Sequence, residues 1–190
     1  MLDRVREALF STLGGWLDGA RVLDLYSGTG SMGLEAYSRG AEFVRFVERG
    51  NAARKALRAN ITALDAGDEV EVGTGSALEP VQWCPDDSKP GEPWADLILM
   101  DPPYPDAEHE PARSALLQAL TELVETVLVS DGVLVLHTSP RALQEESFPA
   151  GWETKCRVYG RSALWYLQRD QGADPDSDEG EQEAGESELA

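Results

Sequence analysis

Residues 22–33 read VLDLYSGTGSMG, an apolar run that leads into three glycines at the spacing GxGxxG. The apolar run is typical of a buried strand, and glycines at this spacing allow a tight turn and a close approach of a ligand to the main chain. A helical period follows as far as Ser38. The segment therefore predicts a strand, a ligand-binding loop and a helix. A strand-to-helix turn that needs only flexible glycines would give the same pattern.

Strand-like and helix-like segments alternate along most of the chain. This alternation predicts a mostly parallel sheet with helices on both faces. Two further strand-like runs, 153–158 and 162–168, predict an antiparallel hairpin at the end. We therefore expect a Rossmann-like α/β fold with seven strands. The other strand-like runs are 21–26, 43–48, 69–73, 96–100 and 133–137, and the helical periods are 3–13, 31–38, 52–63 and 112–129.

Length and charge limit the class of protein. The 190 residues, 42% of them hydrophobic, suffice for one domain with a substantial core. The net charge is −19, and nine of the 35 acidic residues lie in 170–190, which has no basic residue. We predict one enzyme domain over 1–169 and an acidic, disordered tail over 170–190. The acidic balance argues against nonspecific binding to nucleic-acid phosphates but allows a local basic patch.

Other features exclude several classes. The two cysteines, Cys84 and Cys156, and the two histidines, His109 and His137, form no metal-binding or disulfide pattern, so we expect no metal. No apolar run is long enough to span a membrane, and the first residues do not resemble a secretory signal. We expect a cytoplasmic protein without a membrane partner.

An acidic residue follows the glycine loop at the distance that adenosine-containing cofactors require. Glu48 lies twenty residues after Gly28, where a carboxylate can accept hydrogen bonds from both ribose hydroxyls. Both NAD and S-adenosylmethionine enzymes use such a residue. Asp24 favours the second class, because a carboxylate beside the loop would repel a pyrophosphate and attract the ammonium group of a methionine moiety. After the third strand, Ser76 could bind the adenine edge, or it could cap a turn.

The fourth strand ends in Asp101-Pro102-Pro103-Tyr104. Consecutive prolines fix φ and remove two N–H donors, so this strand exit presents acceptors only. The Asp101 carboxylate and the Pro102 carbonyl could each accept a hydrogen from an exocyclic amine, and Tyr104 could stack on its base. Because ligands bind beyond the carboxyl ends of parallel strands, this motif and the glycine loop should face one cleft. The alternative is a proline-rich strand exit with an incidental tyrosine.

Together these motifs resemble the RsmD-type enzymes, which methylate N2 of a guanine in bacterial small-subunit (16S) rRNA. The resemblance covers roughly residues 3–169. The segments that carry it are DRVREALF at 3–10, LDLYSGTGSMGLEA at 23–36, SRGA at 38–41, VE at 47–48, DPPY at 101–104 and YG at 159–160.

The resemblance implies a class I S-adenosylmethionine-dependent methyltransferase fold. It also implies that the substrate is small-subunit rRNA or the assembling 30S particle, with a flipped guanine at the DPPY motif, and we expect a monomer. The candidate catalytic residues are Asp101, Pro102, Pro103 and Tyr104. The candidate cofactor residues are Asp24, Ser27, Gly28, Thr29, Gly30, Glu48, Ser76 and Ala77.

The chain departs from the family pattern in three places, and other functions stay open. It begins at Met1-Leu2 without the usual Arg-Pro-Thr approach, so we expect either a misassigned start or a missing RNA-contacting arm. Ser76 stands where the family commonly has an acid, and the acidic tail is not part of the pattern. The alternatives are an N6-adenine methyltransferase of DNA or RNA and a non-catalytic cofactor-binding module for RNA assembly. Asp24 and the DPPY motif disfavour an NAD dehydrogenase.

Overall fold

The computed structural model describes residues 3–86, 88 and 91–170 of the chain. They form a seven-stranded sheet in the order β3-β2-β1-β4-β5-β7-β6. The strands are β1 Arg21–Leu25, β2 Phe43–Val47, β3 Val70–Gly73, β4 Ala95–Met100, β5 Leu128–Thr138, β6 Trp152–Tyr159 and β7 Ser162–Arg169. The helices are α1 Asp3–Leu13, α2 Gly33–Ser38, α3 Asn51–Ala63, α4 Tyr104–Glu108 and α5 Ala112–Thr126, with 3-10 turns at Gly14–Leu17, Pro80–Gln82 and Glu145–Ser147.

The register of the parallel strands aligns their carboxyl ends. Leu25 of β1 lies opposite Val47 of β2 on one side and Met100 of β4 on the other. Met100 in turn lies opposite Leu136 of β5. The residues that follow these strands therefore meet at one edge of the sheet, which we call the carboxyl edge.

Helices cover both faces of the sheet, as the alternation of segments predicted. One apolar cluster joins one face to α5 through Leu116, Leu120 and Leu123, while a second joins the other face to α1, α2 and α3. Strands buried on both faces explain the continuous apolar runs in the sequence. The predicted Rossmann-like α/β fold, with its antiparallel hairpin of β6 and β7, is confirmed.

Two local predictions need correction. The helix predicted over 112–129 ends at Thr126, because the Val127 carbonyl accepts hydrogen bonds from the N–H groups of Trp94 and Ala95 and so joins the sheet. The strand predicted over 133–137 begins earlier, at Leu128, because Leu128 already pairs with Ala95 of β4.

Residues 171–190, nearly all of the predicted disordered tail, lie outside the described residues. Among the described helices, none combines the length and apolar character needed to cross a membrane.

Candidate active site

The glycine loop after β1 is attached to the end of β2. Gly28 has a φ of +57°, a left-handed conformation that favours glycine, and its N–H donates to Glu48 Oε2 at 2.8 Å. Ser27 donates through its N–H and its hydroxyl to the Val47 carbonyl, at 3.2 and 3.3 Å. The other Glu48 oxygen accepts from the Gly50 N–H at 2.6 Å. Glu48 thus holds the loop, and each of its oxygens keeps a further lone pair for a ribose hydroxyl.

The rest of the loop packs too closely for larger side chains. Gly30 has a φ of +86°, and a Cβ atom built there would lie 2.4 Å from Leu57 Cδ1. The Thr29 carbonyl accepts from the side-chain amide of Asn60 at 2.9 Å, while the Thr29 side chain is exposed. The glycine spacing thus serves both the turn and the packing of the loop on α3.

Asp24 is fully buried at the end of β1, beneath the loop. Its Oδ2 atom accepts a hydrogen bond from the Gly33 N–H at 2.9 Å, and its Oδ1 atom has no partner among the described residues. Burial raises the pKa of Asp24 to about 8, against the ordinary value of 3.8. Asp24 is therefore largely protonated at neutral pH until a cation approaches, which refines the expectation of a permanent negative charge at this position.

The third predicted cofactor segment lies in the loop after β3. Ser76 Oγ accepts from the Leu78 N–H at 3.2 Å, so it supports a turn and retains its own hydroxyl hydrogen for donation. Ala77 is buried, and its carbonyl accepts from Trp83 Nε1 at 2.8 Å. Arg45 fixes the end of this loop by donating from Nε to the Gln82 carbonyl at 2.7 Å.

Residues that follow β1, β2, β3 and β4 border one cleft of about 260 Å³ at the carboxyl edge. Of the predicted site residues, those that do not line it are Asp24, Ser27, Gly28, Thr29, Gly30, Pro102 and Tyr104. Glu48, Ser76 and Ala77 lie on one side, with Asp101 and Pro103 on the other. The structure thus brings Glu48, Ser76 and Ala77 to the same cleft as Asp101 and Pro103, and the glycine loop is connected to this cleft through the Gly28–Glu48 hydrogen bond. The remaining lining residues are Tyr26, Val47, Arg49, Leu78 and Asp106.

The two prolines differ in what they leave available. The Pro103 carbonyl accepts the Asp106 N–H at 2.9 Å and is used by α4, whereas no described residue donates to the Pro102 carbonyl. Asp101 follows β4 directly, and its N–H donates to the Leu25 carbonyl at 3.4 Å. The Asp101 carboxylate and the Pro102 carbonyl therefore remain the candidate acceptors at this strand exit.

A hydrogen-bonded chain of side chains runs behind Asp101. His137 Nδ1 lies 2.6 Å from Asp101 Oδ1, and the Tyr104 hydroxyl lies 3.4 Å from His137 Nε2 and 3.2 Å from Ser162 Oγ. Neither His137 nor Ser162 is predicted as a site residue from the sequence. A signal for His137 existed, because it closes a predicted strand that would pair with the strand before Asp101.

Hydrogen bonding outweighs burial at Asp101. Burial alone would raise the pKa of its carboxyl group, but hydrogen bonds, that of His137 among them, hold the pKa below its ordinary value. Asp101 therefore stays ionised at neutral pH, whereas Asp24, the other buried carboxyl group, is largely protonated.

Tyr26 is a further site residue that the sequence did not reveal. It has a φ of +59°, rare for a residue with a side chain, and it lines the cleft. Its hydroxyl is buried without a partner among the described residues, and burial raises its pKa to about 12. Strained residues of this kind often occur at ligand-binding sites.

The family model described as Conserved hypothetical protein 95 matches residues 1–168. The chain belongs to this family, the RsmD-type methyltransferases. Ribosomal RNA small subunit methyltransferase D of Escherichia coli K12 is 28% identical over 93% of this chain and 82% of the relative. A Bacillus subtilis relative, named "Putative rRNA methyltransferase YlbH", is 31% identical over 70% of this chain and 67% of its own length.

Solved structures agree with the RsmD-type assignment. The Escherichia coli structure titled "Putative methyltransferase yhhF" superimposes with a TM-score of 0.70 at 26% identity, covering 88% of this chain and 85% of that one. S-adenosylmethionine is the cofactor of this fold and family. The RsmD-type site fits it, because the unpartnered Asp24 Oδ1 and Tyr26 hydroxyl are buried polar atoms that a polar ligand would satisfy.

Proposed function

We propose that the protein transfers a methyl group from S-adenosylmethionine to the exocyclic N2 amine of a guanine in small-subunit rRNA. The observation that carries this proposal is the Asp101 carboxylate, next to the Pro102 carbonyl in the chain, at a cleft that Glu48 and Ser76 also line in an RsmD-type chain. The relatives named as rRNA methyltransferases support rRNA as the substrate.

Two acceptors suit this amine because its lone pair is delocalised into the base. The Asp101 carboxylate and the Pro102 carbonyl would each bind one amine hydrogen and hold the nitrogen as it becomes tetrahedral. Orientation of this kind contributes roughly 7 to 11 kcal/mol to well-aligned reactions. The two acceptors therefore act mainly by alignment.

The cofactor, when bound, supplies an electrophilic methyl group on a sulfonium, whose bonding electrons stay with sulfur after transfer. The amine nitrogen forms the new bond to carbon and becomes cationic, so one of its hydrogens becomes acidic. The ionised Asp101 carboxylate accepts that proton and later releases it to solvent. No strong base is required, since the proton leaves only as the methyl group arrives.

On the cofactor side of the cleft, we propose that Glu48 binds the ribose and Asp24 the ammonium group. Ser27 to Gly30 provide the loop backbone, and Ser76 and Ala77 lie at the adenine. A paired guanine could not present its amine in line with the methyl group, so the base must leave its helix. Tyr104 would support the flipped base from the other side of Asp101.

The test is methyl transfer followed by nucleoside analysis. The protein is incubated with methyl-labelled S-adenosylmethionine and either 30S particles or naked 16S rRNA from a strain that lacks the modification. We expect label in N2-methylguanosine, loss of that label in Asp101→Ala, and retention in Asp131→Ala, which changes an exposed aspartate of β5. Label in N6-methyladenosine of RNA or DNA would refute the guanine assignment, and binding without transfer would indicate a non-catalytic module.

The same experiment distinguishes the finer parts of the proposal. We propose that the substrate is small-subunit rRNA, either free or in the assembling 30S particle, and that a monomer acts in the cytoplasm. The relative rates of labelling of naked rRNA and of 30S particles distinguish the two forms of the substrate, and labelling of neither would contradict the first point. Sedimentation of the active protein as a dimer would contradict the second.

A further inference from the structure

We propose that His137 is a positioning residue for Asp101, and that Tyr104 and Ser162 fix the imidazole in the ring state that this task requires. The inference rests on the proposed function for its chemical meaning. The hydrogen-bonded chain itself can be tested without a substrate.

The partners of His137 decide its tautomer. A carboxylate offers only lone pairs, so Nδ1 must carry the hydrogen in its 2.6 Å contact with Asp101 Oδ1. In the neutral ring Nε2 is then an acceptor, and the Tyr104 hydroxyl, 3.4 Å away, is its donor. The Tyr104 oxygen can accept in turn from Ser162 Oγ at 3.2 Å. All hydrogens along the chain therefore point from Ser162 towards Asp101.

Burial and strand register make this arrangement rigid. His137 is 3% exposed and Ser162 is 1% exposed, and each belongs to a strand of the sheet. Leu136 pairs with Met100, which places His137 beside Asp101, and Thr138 pairs with Ala163, which places Ser162 nearby. The Tyr104 ring also meets the imidazole edge to face, with centroids 5.5 Å apart. Strands β5 and β7 thus position the His137 side chain, and His137 positions the Asp101 carboxylate, which is the proposed acceptor for the amine.

The chain has two consequences for the proposed reaction. The bond to Oδ1 fixes the plane of the Asp101 carboxylate, and it favours the ionised form that can accept a proton. The contact between the Tyr104 hydroxyl and Nε2 fixes the position of the Tyr104 ring. One imidazole therefore positions both the acceptor for the amine and the ring that would stack on the base. A misplacement of about 1 Å in such a group can lower a rate by roughly 100-fold.

The pH dependence of Asp101 has several contributors. Asp24 of β1 is close enough to Asp101 that the charge of Asp101 raises the pKa of Asp24. Glu48, Arg49 and Asp106 line the same cleft as Asp101. A comparison among variants of His137 leaves these charges unchanged, so any difference between the variants reports on the imidazole contact.

The experiment compares His137→Asn, His137→Gln and His137→Ala. The side-chain amide of asparagine can replace the Nδ1 donor to Asp101, whereas that of glutamine replaces the Nε2 position and faces Tyr104. We expect kcat to fall by about 10- to 100-fold in the Ala and Gln variants and by less in Asn. The acidic limb of the kcat/KM profile should move to higher pH in Ala and Gln but not in Asn, because only Asn keeps a donor at the Nδ1 position, one of the contacts that lower the pKa of Asp101. His109→Asn and His109→Ala, at the exposed second histidine, are the matched controls.

A measurement on the wild-type protein tests the same hydrogen-bonded chain even where a variant fails to fold. NMR of ¹⁵N-labelled imidazole, with His109→Asn for assignment, should report the Nδ1–H tautomer for His137. The Nε2–H tautomer, or a Gln variant as active as Asn, would overturn the positioning role. Failure of the wild-type protein to methylate rRNA would instead refute the proposed function, and the NMR result would stand independently of it.

Discussion

Asp24, near the end of β1, accepts a hydrogen bond at 2.9 Å from the N–H of Gly33, the first residue of α2, so one carboxyl group joins the strand to the helix across the glycine loop. The same carboxyl group is fully buried, with a pKa of about 8. Its charge therefore depends on pH and on whether a cation is bound.

Asp24→Asn should stabilise the ligand-free protein at alkaline pH. The pKa in the folded state is raised, so the stability that the protonated group contributes is complete below pH 3.8 and is lost as the pH rises towards about 8. Asparagine keeps the acceptor for Gly33 and cannot ionise. We expect a melting temperature at pH 8.5 at least about 2 °C above wild type, the shift for roughly 1 kcal/mol in a chain of this size. The difference should shrink as the pH approaches 4, and a constant difference would contradict the assignment.

The same residue predicts pH-dependent cofactor binding. Ionised Asp24 attracts the ammonium group of S-adenosylmethionine, so wild-type affinity should rise between pH 6 and 8 with release of a proton. Calorimetry in buffers of different ionisation enthalpy measures that proton directly. Asp24→Asn should bind more weakly and show little of this pH dependence. An equal pH dependence in both proteins would place the titrating group elsewhere.

Tyr104→Ala should lower kcat/KM by roughly 10- to 100-fold, following the about 1 to 3 kcal/mol that a stacked base contributes. Cofactor affinity should remain nearly unchanged, because the hydroxyl of Tyr104 contacts His137 and Ser162, and Tyr104 is not among the residues that line the cleft beside Glu48 and Ser76. Steady-state kinetics and calorimetry measure the two quantities. Tyr37→Ala removes another half-buried tyrosine and controls for lost packing. A parallel loss of cofactor binding in Tyr104→Ala would indicate a structural role.

Gly33→Ala should destabilise the protein even though Gly33 does not need a left-handed φ. A Cβ atom there would lie 2.4 Å from Phe46 Cε1 and 2.9 Å from Asp24 Oδ2. Such overpacking costs about 1 to 3 kcal/mol. The control is Gly15→Ala, because a Cβ atom at Gly15 meets nothing within 4 Å. Urea unfolding of both variants tests the prediction, which equal midpoints would refute.

Arg45→Met should destabilise the protein and weaken cofactor binding together. Arg45 is 5% exposed and contacts Glu71 at 2.5 Å as well as the Gln82 carbonyl, so its loss leaves a partly buried carboxylate without its partner. Breaking a fully buried pair costs about 3 to 5 kcal/mol, and we expect a smaller loss here because Glu71 is partly exposed and keeps the Asp86 N–H as a donor. The loop that carries Ser76 should then loosen. Lys155→Ala, in the exposed pair with Glu153, should cost about 0 to 1 kcal/mol and leave affinity unchanged.

Much of the site followed from the sequence because it depends on short-range rules. The order of apolar runs and helical periods required parallel strands, and parallel strands place their following loops at one edge. Glu48 and Asp101 each occur at the end of such a run, so their approach to one cleft could be predicted from residue order alone. Guanine, in contrast to adenine, was indicated only by the family resemblance.

Only the tertiary structure shows which groups that are far apart in the chain contact one another. The sequence shows His137 and Ser162 as a strand-end histidine and a hairpin serine, and only the pairing of β4 with β5 and of β5 with β7 joins them to Asp101 and Tyr104. The sequence likewise shows two aspartates after apolar runs, but not that Asp24 is buried to a pKa of about 8 while hydrogen bonds keep Asp101 acidic. The physical reason is that a local pattern fixes where a strand ends, whereas a side chain's proton affinity depends on every neighbour that folding brings to it.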